Sequence, residues 1–309
     1  MALRITGTFL DEITHDIPSN NWGRREWEAD FDAMRAVGID TVILIRAGVG
    51  RTAACPSKVL AEKADILPVY EDLVDLFLDL AESRGMDFYF GTYDSATWPT
   101  RERTLDEEVD LGRAFVDEVW STYGSRRAFK GWYLTFELGR LERRRVECLR
   151  RLGAHCKGLS PDLPNLISPY VHGGKLVDDP ISLEQHHADW DEILGSLAGS
   201  VDVVAFQDGQ CQYDELPGFL QANRELIARH GMRAWSNTES FDRDMPFNFP
   251  PITWHKLWWK MQAAEAAGVE KLITFEFSHF MSPNSCWPAA GNLYRRYREY
   301  LETDGAGKA

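Results

Sequence analysis

The stretch Gly131-Trp132-Tyr133-Leu134-Thr135-Phe136-Glu137-Leu138 changes chemical character at every step. In an extended chain Gly131, Tyr133, Thr135 and Glu137 share one face, while Trp132, Leu134 and Phe136 share the other. The second face is apolar and suits packing against covering helices. The first is polar and suits the inside of a closed sheet, with Glu137 at the C-terminal mouth.

Working outward, similar short β-type runs recur along the chain at Ile5–Glu12, Thr41–Gly48, Asp87–Asp94, Leu166–His172, Val201–Asp208, Arg233–Glu239 and Lys271–Ser278. Between them lie segments whose apolar residues repeat every 3.6 positions, the helical period. These are Arg25–Val37, Leu67–Arg84, Leu105–Tyr123, Leu141–Lys157, Leu183–Leu197, Leu216–His230 and Trp254–Ala267, with Gly291–Thr303 closing the chain. Thr104 with Glu107, and Ser182 with Gln185, have the spacing of helix-starting caps. Gly38, Gly85, Gly231 and Gly268 stand where helices should stop. Eight βα units without a polar linker predict an α/β fold, a single (β/α)8 TIM barrel over 1–309, with 304–309 as a flexible tail. A doubly wound sheet fits less well. Gly48-Val49-Gly50-Arg51 lacks the third glycine of a phosphate-binding turn and reads as a plain loop.

Charge narrows the function. With 34 basic and 48 acidic side chains the formal charge is −14, which argues against a nucleic-acid partner. No apolar run approaches the roughly 20 residues of a membrane helix, and the opening MALRITGTFLDE is not a secretory signal, so a cytoplasmic protein is expected. Five widely spaced cysteines form no zinc pattern and read as free thiols. No cofactor and no metal site is expected.

In a barrel of this kind the strand ends build the site. Nearly every strand here ends in a polar or acidic group: Asp11 and Glu12, Glu137, His172, Gln207 and Asp208, Glu239, and Glu276. Carboxylates converging on one mouth repel and lose water, an arrangement that acid–base chemistry requires and a purely structural barrel does not. The strongest pair is Glu137 on the fourth strand and Glu239 on the seventh. Two carboxyl groups about 5–5.5 Å apart can divide proton donation from nucleophilic attack and retain configuration, whereas a gap of roughly 6.5–9.5 Å leaves room for water and inverts it.

Glutamates at the ends of strands four and seven resemble the layout of the retaining TIM-barrel glycoside hydrolases. The opening Ile5–Gly50 is similar to the start of an uncharacterised bacterial family grouped with glycosidase-like barrels and found near carbohydrate-utilisation genes. The blocks GWYLTFELG (131–139) and ITFEFSHFMSP (273–283) are similar to its later blocks. The resemblance implies a carbohydrate-linked hydrolase with Glu137 as acid/base and Glu239 as nucleophile, acting on an oligosaccharide or glycoside. The clan places Asn before its strand-four glutamate. Here Phe136 stands there, so contact with the sugar 2-hydroxyl must come from elsewhere, with Asn237 a candidate.

Glu276 and Asp208 are further candidates for a catalytic or supporting role. Glu12, Trp22, Trp98, Tyr133, Tyr170, His172, Gln207, Trp235, Asn237, His279 and Trp287 are candidates for substrate contact, since aromatic rings near strand ends suit stacking on sugars. Strand eight is expected to turn Thr274, Glu276 and Ser278 inward. Trp254, Trp258 and Trp259 read as helix packing, Phe241–Pro251 as a rim loop, and His186-His187 as solvated surface. Two other functions use the same residues. A metal-dependent sugar isomerase or epimerase would draw on Glu137, His172, Asp208 and Glu276, and a non-catalytic carbohydrate-binding barrel would need only the aromatics.

Overall fold

A computed structural model of the chain describes residues 3–14, 17–96, 103–176, 179–244 and 249–306. Eight parallel strands close into a barrel: β1 (Ile5–Leu10), β2 (Thr41–Leu44), β3 (Asp87–Gly91), β4 (Phe129–Tyr133), β5 (Asn165–Ile167), β6 (Val203–Gln207), β7 (Arg233–Asn237) and β8 (Lys271–Thr274). Each pairs with its sequence neighbour, and β1 closes the ring against β8 with Thr8 opposite Thr274. The Ile5 N–H donates to the Tyr297 hydroxyl at 2.8 Å, which ties the last helix (Pro288–Ala306) to the start of the barrel. That helix runs through positions expected to be a loose tail, and 307–309 lie outside the described residues.

The barrel interior is packed rather than open. Phe9, Ile43, Tyr89, Tyr133, Leu166, Val203, Trp235 and Ile273 contribute one buried side chain from each strand, with Ala205 filling beside Val203. Gly131 is required by this packing, because a Cβ there would overlap the Tyr89 ring. Trp132, Leu134 and Phe136 face outward into the helix layer, as the alternation on β4 dictates, and Trp132 Nε1 donates to Ser160 Oγ at 2.9 Å.

Helix ends follow the sequence signals. Thr104 and Glu107 form a reciprocal cap on the helix Leu105–Tyr123. Gly85 and Gly268 end their helices in the left-handed conformation, φ 61° and 77°, which a side chain would disfavour. The helix expected from Leu67 starts instead at Leu73, because the Asp72 carboxylate caps the Asp75 N–H.

Four local expectations are corrected. Strands two and three are shorter than their apolar runs, since Gly48–Val49, Thr52–Ala53 and Tyr93–Asp94 leave the barrel and form a small sheet over its mouth. Gly48–Val49 is therefore the first strand of a hairpin that turns at Gly50–Arg51, rather than part of a plain loop. His186 is fully buried among Trp190, Phe206 and Phe219 and bonds Asn223 at 2.6 Å, and burial pushes its imidazole down to about 4. Trp258 is 42% exposed, whereas Trp254 and Trp259 pack on the core. No helix among the described residues is long and apolar enough to cross a membrane. All five cysteines are free.

Candidate active site

A cavity of about 450 Å³ opens at the C-terminal mouth of the barrel. Glu137 and Glu239 both line it, with Tyr133, Tyr170, Gln207 and Asn237. The two glutamates are about a hundred positions apart in sequence and reach one space because β4 and β7 point the same way.

Glu137 follows β4 on the inward parity. Its Oε1 lies 3.6 Å from Arg46 Nη2, and its carbonyl accepts from Arg145 Nη1 at 2.8 Å. Withdrawal from bulk water pushes the Glu137 carboxyl above the usual carboxylate range. Arg46 and the Gln207 amide counter this, whereas the nearby Glu239 charge adds to it.

Glu239 is held on every side. The Arg243 guanidinium grips its carboxylate with two bonds, Nε to Oε2 and Nη2 to Oε1, both 3.1 Å. Its backbone N–H donates to Asp208 Oδ1 at 3.0 Å, and its carbonyl accepts from Lys260 Nζ at 3.0 Å. Lys260 and Asp208 themselves meet at 2.6 Å, both buried. Asp208 thus supports the backbone of Glu239, and its own carboxyl is pushed up to about 6, chiefly by burial and against the pull of Lys260. Gly209 lies against the glutamate, since a Cβ there would come within 2.7 Å of Arg243 Nε and overlap Glu239 Oε2.

Asn237 is buried, lines the cavity and donates to Ser168 Oγ at 3.1 Å. Tyr170 packs flush on Gly139, where a Cβ would overlap its ring. These two and Gln207 stand where strand parity puts them.

Several other expected site residues stand elsewhere. Strand eight has the opposite parity to that expected: Ile273 and Phe275 belong to the barrel interior, so Glu276 points away from it. Glu276 is fully buried, caps the helix Phe277–Phe280 through the N–H groups of Ser278 and His279, and bonds His279 Nδ1 at 2.6 Å. His279 Nε2 in turn reaches the Pro18 carbonyl at 2.8 Å. Burial works against the imidazolium, but Glu276 outweighs it and lifts His279 to about 9. Glu12 is occupied by the Ser19 hydroxyl and the N–H groups of Asn20 and Asn21. Trp22 packs edge-on against Trp27 at 5.0 Å. Trp235 sits deep in the barrel interior, and neither His172 nor Trp287 lines the cavity. Trp98 lies outside the described residues. Among the described residues no group of three or more His, Cys, Asp or Glu side chains is placed to hold a metal ion.

Other cavity residues carried no clear sequence signal. Arg46, Arg145 and Arg243 are brought in by loops and a helix start, and Phe241, Phe249 and Phe275 form an apolar wall. Asp11 does have a signal, because it shares the inward parity of Phe9 whereas Glu12 does not. The rim loop supplies Phe241, Arg243 and Phe249, and its positions 245–248 lie outside the described residues.

A family model described as "Domain of unknown function (DUF4434)" matches residues 5–287. The chain belongs to this family. This DUF4434 chain is similar to a crystal structure from Bacteroides thetaiotaomicron described as a "putative alpha-L-fucosidase", with 48% identity, a TM-score of 0.93, and coverage of 97% of this chain and 94% of that one. It also shares its fold with a β-glucuronidase from an uncultured Clostridium species, at 12% identity and a TM-score of 0.57, covering 96% of this chain and 50% of that one. Xylanase XynB from Paenibacillus barcinonensis is similar at 12% identity and a TM-score of 0.55, covering 89% of this chain and 83% of that one. The search of curated proteins gives no match.

Proposed function

We propose that this protein is a glycoside hydrolase in which Glu137 is the general acid/base and Glu239 the nucleophile, acting with retention of configuration. The carrying observation is that the two carboxyl groups line one cavity in contrasting surroundings, Glu137 half-buried with a single guanidinium 3.6 Å away and Glu239 buried in a two-bond guanidinium fork. The description of the 48% identical relative as a "putative alpha-L-fucosidase" supports the same reaction class.

In the first step the Glu137 carboxyl gives its proton to the glycosidic oxygen as Glu239 attacks the anomeric carbon, and the C–O bond to the leaving group breaks. Glu137, now ionised, takes a proton from water, whose oxygen displaces the Glu239 ester and regenerates both groups. Arg243 fixes the attacking carboxylate and stabilises the charge that returns to it in the second step. Retention requires the carboxyl groups to lie about 5–5.5 Å apart across the substrate.

The test is turnover of a panel of 4-nitrophenyl glycosides, including the α-L-fucoside, by the wild type, Glu137→Gln and Glu239→Gln. Both variants should lose at least a thousandfold in kcat on any substrate the wild type cleaves. NMR of the first-formed sugar should show the configuration of the starting glycoside. Unchanged turnover in either variant, or an inverted first product, overturns the reading. Sugar binding without cleavage of any substrate would favour a binding barrel.

A further inference from the structure

Resting on that reading, we propose that the cavity takes an uncharged glycone and that Asp11 holds one of its hydroxyl groups. The first argument concerns charge. Each guanidinium at the cavity already faces a carboxylate: Arg46 meets Glu137 at 3.6 Å, Arg243 grips Glu239, and Arg145 Nε lies 3.2 Å from Glu142 Oε2. Asp11 forms no ion pair among the described residues. Among the described residues a uronate entering this space would meet only guanidiniums that already lie beside a carboxylate, and it would add its charge to those carboxylates.

The second argument concerns buried polar atoms. Asp11 is 2% exposed; its Oδ1 accepts from the N–H groups of Ile13 at 3.3 Å and Thr14 at 3.0 Å, which fixes the carboxylate. Among the described residues its Oδ2 has no hydrogen-bond partner, and neither does the Tyr133 hydroxyl nor Asn237 Oδ1. All three residues line the same cavity and are almost wholly buried. Buried polar atoms are normally paired, and leaving one unpaired costs about 1–3 kcal/mol. Two acceptors and one donor–acceptor are what neighbouring hydroxyl groups on a sugar ring satisfy. Phe249 and Phe275 in the same lining offer an apolar surface to the ring's C–H face. An uncharged pyranose has both kinds of surface.

Isothermal titration of the wild-type protein with L-fucose, D-galactose, D-glucose and D-xylose, against D-glucuronate and D-galacturonate, tests this without turnover. At least one neutral sugar should bind, and neither uronate should bind more tightly than it. Asp11→Asn should weaken that sugar at least tenfold with an unchanged melting temperature, and Tyr133→Phe, which deletes only a hydroxyl, should weaken it several-fold. A uronate preference, no binding by any neutral sugar, or full affinity in both variants overturns the proposal. Intact neutral-sugar binding with no cleavage of any glycoside would sink the hydrolase reading alone.

Discussion

Gly209 lies beneath the carboxylate of Glu239 so closely that no side chain can stand between them: a Cβ would come within 2.5 Å of the glutamate's carboxyl carbon. The glycine is therefore a condition of where Glu239 points. Gly209→Ala should push the carboxylate off the Arg243 fork and lower kcat at least a hundredfold. Because Gly209 follows the last residues of β6 in a loop, far-UV circular dichroism should be unchanged. An alanine variant with wild-type kcat would show that the carboxylate position is not critical.

Arg46 sets how far up the pH scale Glu137 keeps its proton. In the proposed mechanism Glu137 must be protonated to donate, so activity should fall as pH rises through its pKa. Loss of water raises that pKa, and the cation at 3.6 Å pulls it back down. Removing the cation in Arg46→Met should move the alkaline limb of the kcat/KM profile to higher pH. A limb that stays in place, or moves down, would mean that another group sets it.

Lys260 and Asp208 should be inseparable in their effect on stability. Lys260→Met leaves a buried carboxylate without its partner, a change worth about 3–5 kcal/mol. Asp208→Asn in the same chain should restore much of the melting temperature, because no buried charge remains. Turnover should stay low in the double variant, since the Glu239 carbonyl has lost its bond to the Lys260 ammonium. Equal melting temperatures for the single and double variants would contradict this.

Asp30 should make the fold less stable as pH rises through weak acidity. It is fully buried with Ser278, Ser282, Asn284 and the nearby Glu276, and its carboxyl is pushed from 3.8 to about 6, chiefly by burial. Between those values the folded chain holds a proton that the unfolded chain releases. The associated stability is present below about pH 4 and disappears as pH climbs through about 6. A shift of this size is worth on the order of 3 kcal/mol. Thermal melts of Asp30→Asn between pH 4 and 7 should therefore show a flatter profile than the wild type, and an identical slope would refute the assignment.

The parts of this protein that were legible in its sequence are those where one side chain in two meets a different environment. On β4 the alternation from Gly131 to Glu137 separates interior from helix layer, and the structure follows it. On β8 polarity pointed the wrong way, because Thr274 and Glu276 find polar partners outside the barrel interior: Thr274 donates to the Thr238 carbonyl and Glu276 pairs with His279. A buried carboxylate used as a helix cap looks, in sequence, like one aimed at a substrate. The arginines were hidden for another reason. Their long side chains reach the cavity from positions with no periodic signal, as Arg145 does from the first turns of its helix. Asp11 was readable by parity, and Glu12 drew attention only by being the last acid of the run.

The bonding of β1 to β8, reinforced by Tyr297 on Ile5, also matters while the protein is being made. Until residues near 274 have left the ribosome, β1 carries a row of bare N–H and C=O groups with nothing to meet them, and the growing sheet offers another on its far side. Such rims are sticky toward other nascent chains. The ring can shut only once β8 has emerged, so yield should depend on what shields those rims during translation.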